Sequence, residues 1–234
     1  MPISWKSASI LSTTLALICF CATARASTFI IPTDDELIID ARAIIRGKVT
    51  SVSCQMDEQS GRIFTYVRLR VQEVLKGQIA DREIVLKEEG GQVGARGSIV
   101  WGTPRFERGE RVLLYLDTWR DGSLRVYQMF LGKFRIIEDT VTGQSVVTRD
   151  APDANTIAFD RQGAQSSTSR LDLSAYTRMV RMILNSNWDR AVAVERTYYA
   201  NTPLLSRPRE YDPSSGEVQP EFVFFPCVAS PAMV

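Results

Sequence analysis

Glu88-Glu89, Asp34-Asp35 and the glycine-rich stretch Glu89–Gly97 contain the residue types that could do chemistry in this chain. The 234 residues include no histidine. No Ser-His-Asp or Cys-His constellation can therefore form, zinc has no imidazole ligand, and the H-E-x-x-H motif is absent. Adjacent carboxylates on a strand point to opposite faces, which makes them poor acid–base partners, and both pairs read as solvated edge residues. Glu89–Gly97 superficially resembles a phosphate cradle. It lacks the G-K-[ST] end of a P-loop, and no helix-forming run follows to supply a dipole, so a flexible inter-strand loop is predicted. No spacing favours a Ser–Lys pair.

Aromatic and guanidinium groups are the other concentration of chemistry. Trp101, Arg105 and Phe106 share one loop, and Trp119 and Arg120 lie at a hairpin. Interfaces favour this mixture, so these five residues form the candidate binding surface. The structural alternative is that Trp101 and Phe106 plug the end of a barrel. Arg68, Arg70, Arg120 and Arg125 read as solvated strand faces. Of the four cysteines, Cys19 and Cys21 fall within a leader and Cys54 and Cys227 remain. In an oxidising compartment those two could form a disulfide closing a very long loop, worth about 4–5 kcal/mol in the chain-entropy model. Two unpaired thiols or one intermolecular bridge stay open as alternatives. No C-x-x-C spacing exists, and neither a metal nor a cofactor is expected.

The first 26 residues read as a signal peptide. Lys6 supplies a positive start, Ile10–Ala24 an apolar run, and Ala24-Arg25-Ala26 a small-x-small cleavage site before Ser27. The run is short of the roughly 20 apolar residues that a membrane span needs. A secreted or periplasmic protein is expected, with no membrane association once the leader is cleaved. Cleavage removes Lys6 and Arg25 and no acid, leaving 26 of the 28 bases against 27 acids. A near-neutral balance argues against nucleic acid as a partner.

The elements that must position these residues are mostly strands. Ala43–Val52, Ile63–Leu75, Glu83–Glu88, Arg111–Leu116, Leu124–Gln128 and Lys133–Ile137 are short apolar runs separated by polar turns, and Ser145–Arg149 follows a Thr142-Gly143 turn. Thr65, Val67, Leu69 and Val71 alternate with Tyr66, Arg68 and Arg70 at period two. Arg120-Asp121-Gly122-Ser123 is a strong hairpin signal. Thr33-Asp34-Asp35-Glu36 is a capping box that starts a brief helix. A mainly β fold is predicted: a small antiparallel barrel over 33–149 with a short leading helix. Residues 150–170 read as a linker. Leu173, Tyr176, Val180, Ile183 and Leu184 recur at helical spacing, so Leu171–Asn185 is a C-terminal amphipathic helix within a helical segment 171–197. Six prolines after Tyr198 make 198–234 an extended tail.

Four motifs in this order resemble the netrin-like (NTR) module: D-A-R-A-I-I-R-G-K-V from Asp40, V-Q-E-V-L-K-G from Val71, F-E-R-G-E-R-V-L-L-Y-L from Phe106 and D-G-S-L-R-V from Asp121. The resemblance implies an OB-type barrel like that of the tissue inhibitors of metalloproteinases. Those inhibitors chelate the protease zinc through a mature N-terminal cysteine. The expected start here is Ser27-Thr28 and the family's usual cysteines are absent, so that mechanism is not carried over. The layout of leader, barrel, helix and R-P-R-E-Y-D-P-S-S-G-E-V-Q-P from Arg207 is similar to the N-terminal, non-catalytic region of bacterial secreted matrixin-type metalloproteases. This second resemblance implies an accessory region whose enzyme is lost, truncated or encoded separately.

Two function classes follow. The first is an exported, non-catalytic binding or accessory module with an extracellular protein partner such as a protease. The second is a hydrolase using carboxylate or Ser–Lys chemistry.

Overall fold

A computed structural model describes residues 27–58, 60–149, 156–159, 161–162, 170–208 and 211–212. The leader 1–26, Cys227 and the tail beyond Asp212 lie outside the described residues. The chain is mainly β and built around one large mixed sheet.

Strand β1 (Ser27–Ile30) precedes helix α1 (Asp34–Asp40), which starts as its capping box predicts. The Thr33 hydroxyl accepts the Glu36 N–H at 3.3 Å, and the Glu36 carboxylate accepts the Thr33 N–H at 2.9 Å. Leu37, Ile38 and Ile39 of this helix are buried. Its C-terminal carbonyls are satisfied from elsewhere: the Lys76 ammonium donates to the carbonyl oxygens of Ile38, Ile39 and Ala41 at 3.1, 2.6 and 2.6 Å.

The long strands β2 (Ala43–Met56) and β3 (Ile63–Lys76) pair antiparallel, with register shifts between Ile44 and Ile45, Arg46 and Gly47, and Val49 and Ser51. Such irregularities bend a strand and let its two halves serve different neighbours. Gly47 sits at one of them, where a Cβ would lie 2.8 Å from the Arg70 carbonyl oxygen. Strand β4 (Glu83–Glu89) pairs with β3, and β5 (Gly91–Val93) with β6 (Arg96–Ser98) forms a small hairpin. The stretch expected to be an inter-strand loop thus holds a short hairpin, with Gly91 at φ +130° closely packed on Cys54 and Thr65. Strand β7 (Arg111–Thr118) pairs with β2, and β8 (Leu124–Val126) pairs antiparallel with β7. Strand β8 also meets β4 in parallel at Leu86 and Leu124. The pairings β2–β3–β4–β8–β7–β2 therefore return to their starting strand. The parallel contact makes the sheet mixed, where a wholly antiparallel one was expected.

Beyond β7 the sheet continues through β9 (Lys133–Glu138), β10 (Ser145–Thr148) and β12 (Arg170–Asp172). Strand β11 (Thr156–Phe159), inside the stretch expected as a linker, pairs in parallel with β1. Helix α2 (Leu173–Ser186) starts two residues later than its periodicity predicts, because Leu171 belongs to β12 and the Asp172 side chain caps the helix by accepting the Ala175 N–H. Helix α3 (Trp188–Tyr198) follows directly.

Two cores share strands β2 and β7. Val112, Leu114 and Leu116 face one, with Ile45, Val67, Leu69, Ile84, Leu86 and Leu124. Leu113 and Tyr115 face the other, with Ile44, Leu37, Phe134, Tyr176 and Val180. Burial on both faces explains why Arg111–Leu116 reads as a continuous apolar run and not as an alternation.

Candidate functional site

The face of β3 and β4 turned away from the first core carries Phe64, Tyr66 and Arg68 opposite Glu89, Lys87 and Val85. Phe64, Tyr66, Val85 and Lys87 are all buried. Of the arginines expected on solvated strand faces, Arg70 and Arg120 are exposed, whereas Arg68 and Arg125 are only partly so, and the rings beside Arg68 are covered. Period two puts Tyr66 and Arg68 on one face correctly, but only the packing above that face decides whether water reaches it.

Three groups supply the cover. Trp119, at the β7–β8 turn, donates its indole N–H to the Lys87 carbonyl at 2.7 Å and meets the Phe64 ring edge-on at 6.4 Å. The Arg125 guanidinium lies over the Trp119 ring at 4.6 Å and donates to Asp117 Oδ2 at 2.8 Å. Tyr211 comes from the proline-rich tail. It packs on Tyr66 at 5.3 Å between ring centroids, and Arg68 donates to its hydroxyl at 2.5 Å. Lys87 Nζ sits 4.6 Å over the Phe64 ring and 3.3 Å from Asp121 Oδ2, and Arg62 flanks the same ring at 5.7 Å. Alternating cations and rings form a continuous band, in which each contact contributes about 0.5–2 kcal/mol according to its desolvation.

The turn that carries Trp119 is built as its residues predict. Gly122 takes φ +87°, and Asp121 Oδ1 accepts both the N–H and the hydroxyl of Ser123, at 2.8 and 2.5 Å. Burial pushes the Asp121 carboxyl up, but the Ser123 hydrogen bonds and the Lys87 ammonium hold it below its ordinary value overall. Ser123 and Lys87 thus share one carboxylate. The Ser123 hydroxyl faces that carboxylate and not the amine, and the residue is 0% exposed. This geometry closes the turn and leaves no activated serine there.

The sequence-predicted site residues divide between two neighbourhoods. Trp119 belongs to the band, and Arg120 beside it is exposed. Trp101 is 41% exposed, Arg105 is exposed, and Phe106 is only 2% exposed within the first core. Phe106 fills the interior, with Lys133 Nζ 4.7 Å above its ring, and presents nothing to a partner. Arg62, Phe64, Tyr66, Arg68, Lys87 and Tyr211 were not singled out together. Their signal was the aromatic–cation alternation at 62, 64, 66 and 68, which is legible once the strand face is known.

Glu88 overturns the reading of both paired acids as edge residues. Glu89 does lie outward, paired with Arg62. Glu88 points inward, 5% exposed, and accepts the Val126 N–H at 2.6 Å. Burial raises its carboxyl to about 8, against the lowering effects of that hydrogen bond and Arg125.

A surface groove of about 590 Å³ lies between β3 and α2, and its charges are largely paired with one another. Glu73 bridges Arg46 at 3.2 Å and Arg181 at 2.5 Å. Cys54 is buried, with its thiol 3.5 Å from the Thr65 hydroxyl. Among the described residues no three His, Cys, Asp or Glu side chains are grouped to hold a metal, and no helix is long and apolar enough to cross a membrane. Compared with known protein families and with curated proteins, the chain matches none.

Proposed function

We propose that the chain is an exported, non-catalytic binding module built on an OB-like barrel of the netrin type, serving as the accessory region of an extracellular matrixin-type protease. Support for the barrel comes from the circuit β2–β3–β4–β8–β7 and its parallel β4–β8 contact, an arrangement suited to a small Greek-key barrel. Support for export comes from Lys6, the Ile10–Ala24 run and Ala24-Arg25-Ala26.

The observation that carries the binding reading is the band of cations and rings on β3 and β4, with an extended segment of backbone lying against it. Barrels of this type bind ligands on the corresponding strands and adjoining loops. Aromatic rings flanked by guanidinium groups are the side chains that dominate protein recognition.

Calorimetric titration of the mature protein with a purified matrixin-type catalytic domain tests the reading. Saturable binding weakened about tenfold or more by Arg68→Glu is expected, since hot-spot truncations cost that much. No binding by correctly folded protein would sink the accessory role. In the same preparation the protein alone should take up no stoichiometric zinc and leave casein and gelatin intact; chelator-sensitive cleavage would move hydrolysis to first place.

A further inference from the structure

The segment that lies on the band is the chain's own. Thr202 is anchored by Arg42, whose Nη2 donates to its carbonyl at 2.9 Å. From there the backbone passes Gly122, where a Cβ would meet the Pro203 carbonyl oxygen at 2.5 Å. Leu205 N–H then donates to the Gly122 carbonyl at 3.0 Å, and Leu205 bridges Ser123 in parallel. The Ser206 carbonyl accepts the Val85 N–H at 2.7 Å. Strand β4 meets β8 at one residue pair only, so its edge before Leu86 has backbone groups to offer, and the segment takes one of them. Leu204 packs on the first core, Tyr211 seats on Tyr66 and Arg68, and Gln55 donates to the Asp212 carbonyl at 3.1 Å.

Two features make this attachment replaceable. Its main-chain bonds do not depend on side-chain identity, as in any strand added to a sheet edge. Pro203 and Pro208 lack N–H groups and prevent the segment from propagating as a regular strand, so its backbone bonds to the barrel are those of the Leu205 N–H and the Ser206 carbonyl. The side-chain requirement is concentrated at Tyr211: a ring against Tyr66 and an oxygen for Arg68.

We infer that residues 203–208 together with Tyr211 and Asp212 are a displaceable self-occupant of the cation–aromatic face, and that the partner enters as an extended peptide whose tyrosine takes the place of Tyr211. The inference rests on the reading of that face as the binding surface. Departure of the segment uncovers Tyr66 and Val85, so the open face requires a replacement.

Hydrogen exchange of the mature full-length protein tests it, with the Val85 amide as reporter of the segment and the Leu69 and Leu114 amides as reporters of the core. Tyr211→Ala should speed exchange at Val85 by roughly tenfold or more while Leu69 and Leu114 keep their protection. A synthetic peptide of residues 202–213, added to that variant, should restore protection at Val85, and the same peptide with alanine at 211 should not. Val85 exchanging only together with Leu69 and Leu114, in both proteins, would make the segment a fixed part of the fold and overturn the inference. The proposed function would then still stand or fall on the protease titration. Opening at Val85 without re-protection by the peptide would overturn the peptide-binding half of the inference, and the protease titration would again decide the proposed function separately.

Discussion

Glu88 Oε1 and the Val126 backbone nitrogen lie 2.6 Å apart within the strand circuit, joining β4 to β8 next to their one parallel residue contact. The hydrogen bond needs only an acceptor, whereas the charge of an ionised carboxylate would be buried. Glu88 is raised from 4.5 to about 8 in the folded state. The unfolded chain therefore loses its proton first, and stability falls as pH rises from 4.5 to about 8 and is level on either side. Glu88→Gln keeps the acceptor and cannot ionise. Thermal unfolding should show it equal to the native protein near pH 4 and more stable at pH 8, by as much as about 4 kcal/mol. A variant less stable at pH 8 would mean the carboxylate is charged and needed.

Lys76 should work in the opposite direction at higher pH. Burial lowers its ammonium to about 8, while Glu195 and Asp40 raise it. The folded state then holds fewer protons than the unfolded one between about 8 and 10.5, and stability rises with pH across that window. Lys76→Met abolishes that rise and strips three carbonyls at the end of α1 of their donor. Urea unfolding near pH 10 should register a loss of about 2 kcal/mol, and the deficit should shrink toward pH 7, where the variant is also relieved of a costly buried charge. A neutral or stabilising effect near pH 10 would show that water replaces the amine there.

Tyr115 and Tyr176 place their hydroxyls 2.9 Å apart where β7 meets α2, and burial raises both phenols well above their ordinary range. Tyr176→Phe strands a buried hydroxyl on Tyr115 and should cost about 1–2 kcal/mol. Replacing both by phenylalanine should cost less than the two single changes summed, because no orphan then remains. Strict additivity in a double-mutant cycle would rule out the hydrogen bond as the source.

Gly102→Ala tests how the first strand is held. Gly102 has φ +85°, and a Cβ there would lie 2.3 Å from the Phe29 ring, which also meets Phe130 edge-on at 5.1 Å. The substitution should detach β1 from β11, freeing the Ile31 N–H that donates to the Phe159 carbonyl at 2.8 Å, while Leu69 and Leu114 stay protected. Exchange rates distinguish this from global loss: retained protection at Ile31 would mean that the ring shifts without cost.

Much of the framework was legible in advance because its signals are local. The Thr33–Glu36 capping box, the alternation along Thr65–Val71, the Asp121-Gly122 turn and the helical spacing of Leu173, Tyr176 and Val180 each act within a few residues, and each appears where its pattern predicts. Strands β1 and β11 were missed because neither alternates strongly and each exists by virtue of a partner more than a hundred residues away. The β5–β6 hairpin was missed because its glycines read as flexibility, whereas Gly90 and Gly91 serve close backbone approach.

The sequence by itself determined the absence of imidazole chemistry, the near-neutral charge, the strand-rich middle and the two strand faces on which Tyr66 and Glu88 lie. What lies above each face depends on contacts between distant segments. Only the tertiary structure decided that Phe106 fills the interior, that Glu88 sits where its charge is costly, and that Tyr211 covers Tyr66 and Arg68. Periodicity sets the direction in which a side chain points, and burial is set by what the rest of the chain brings to meet it.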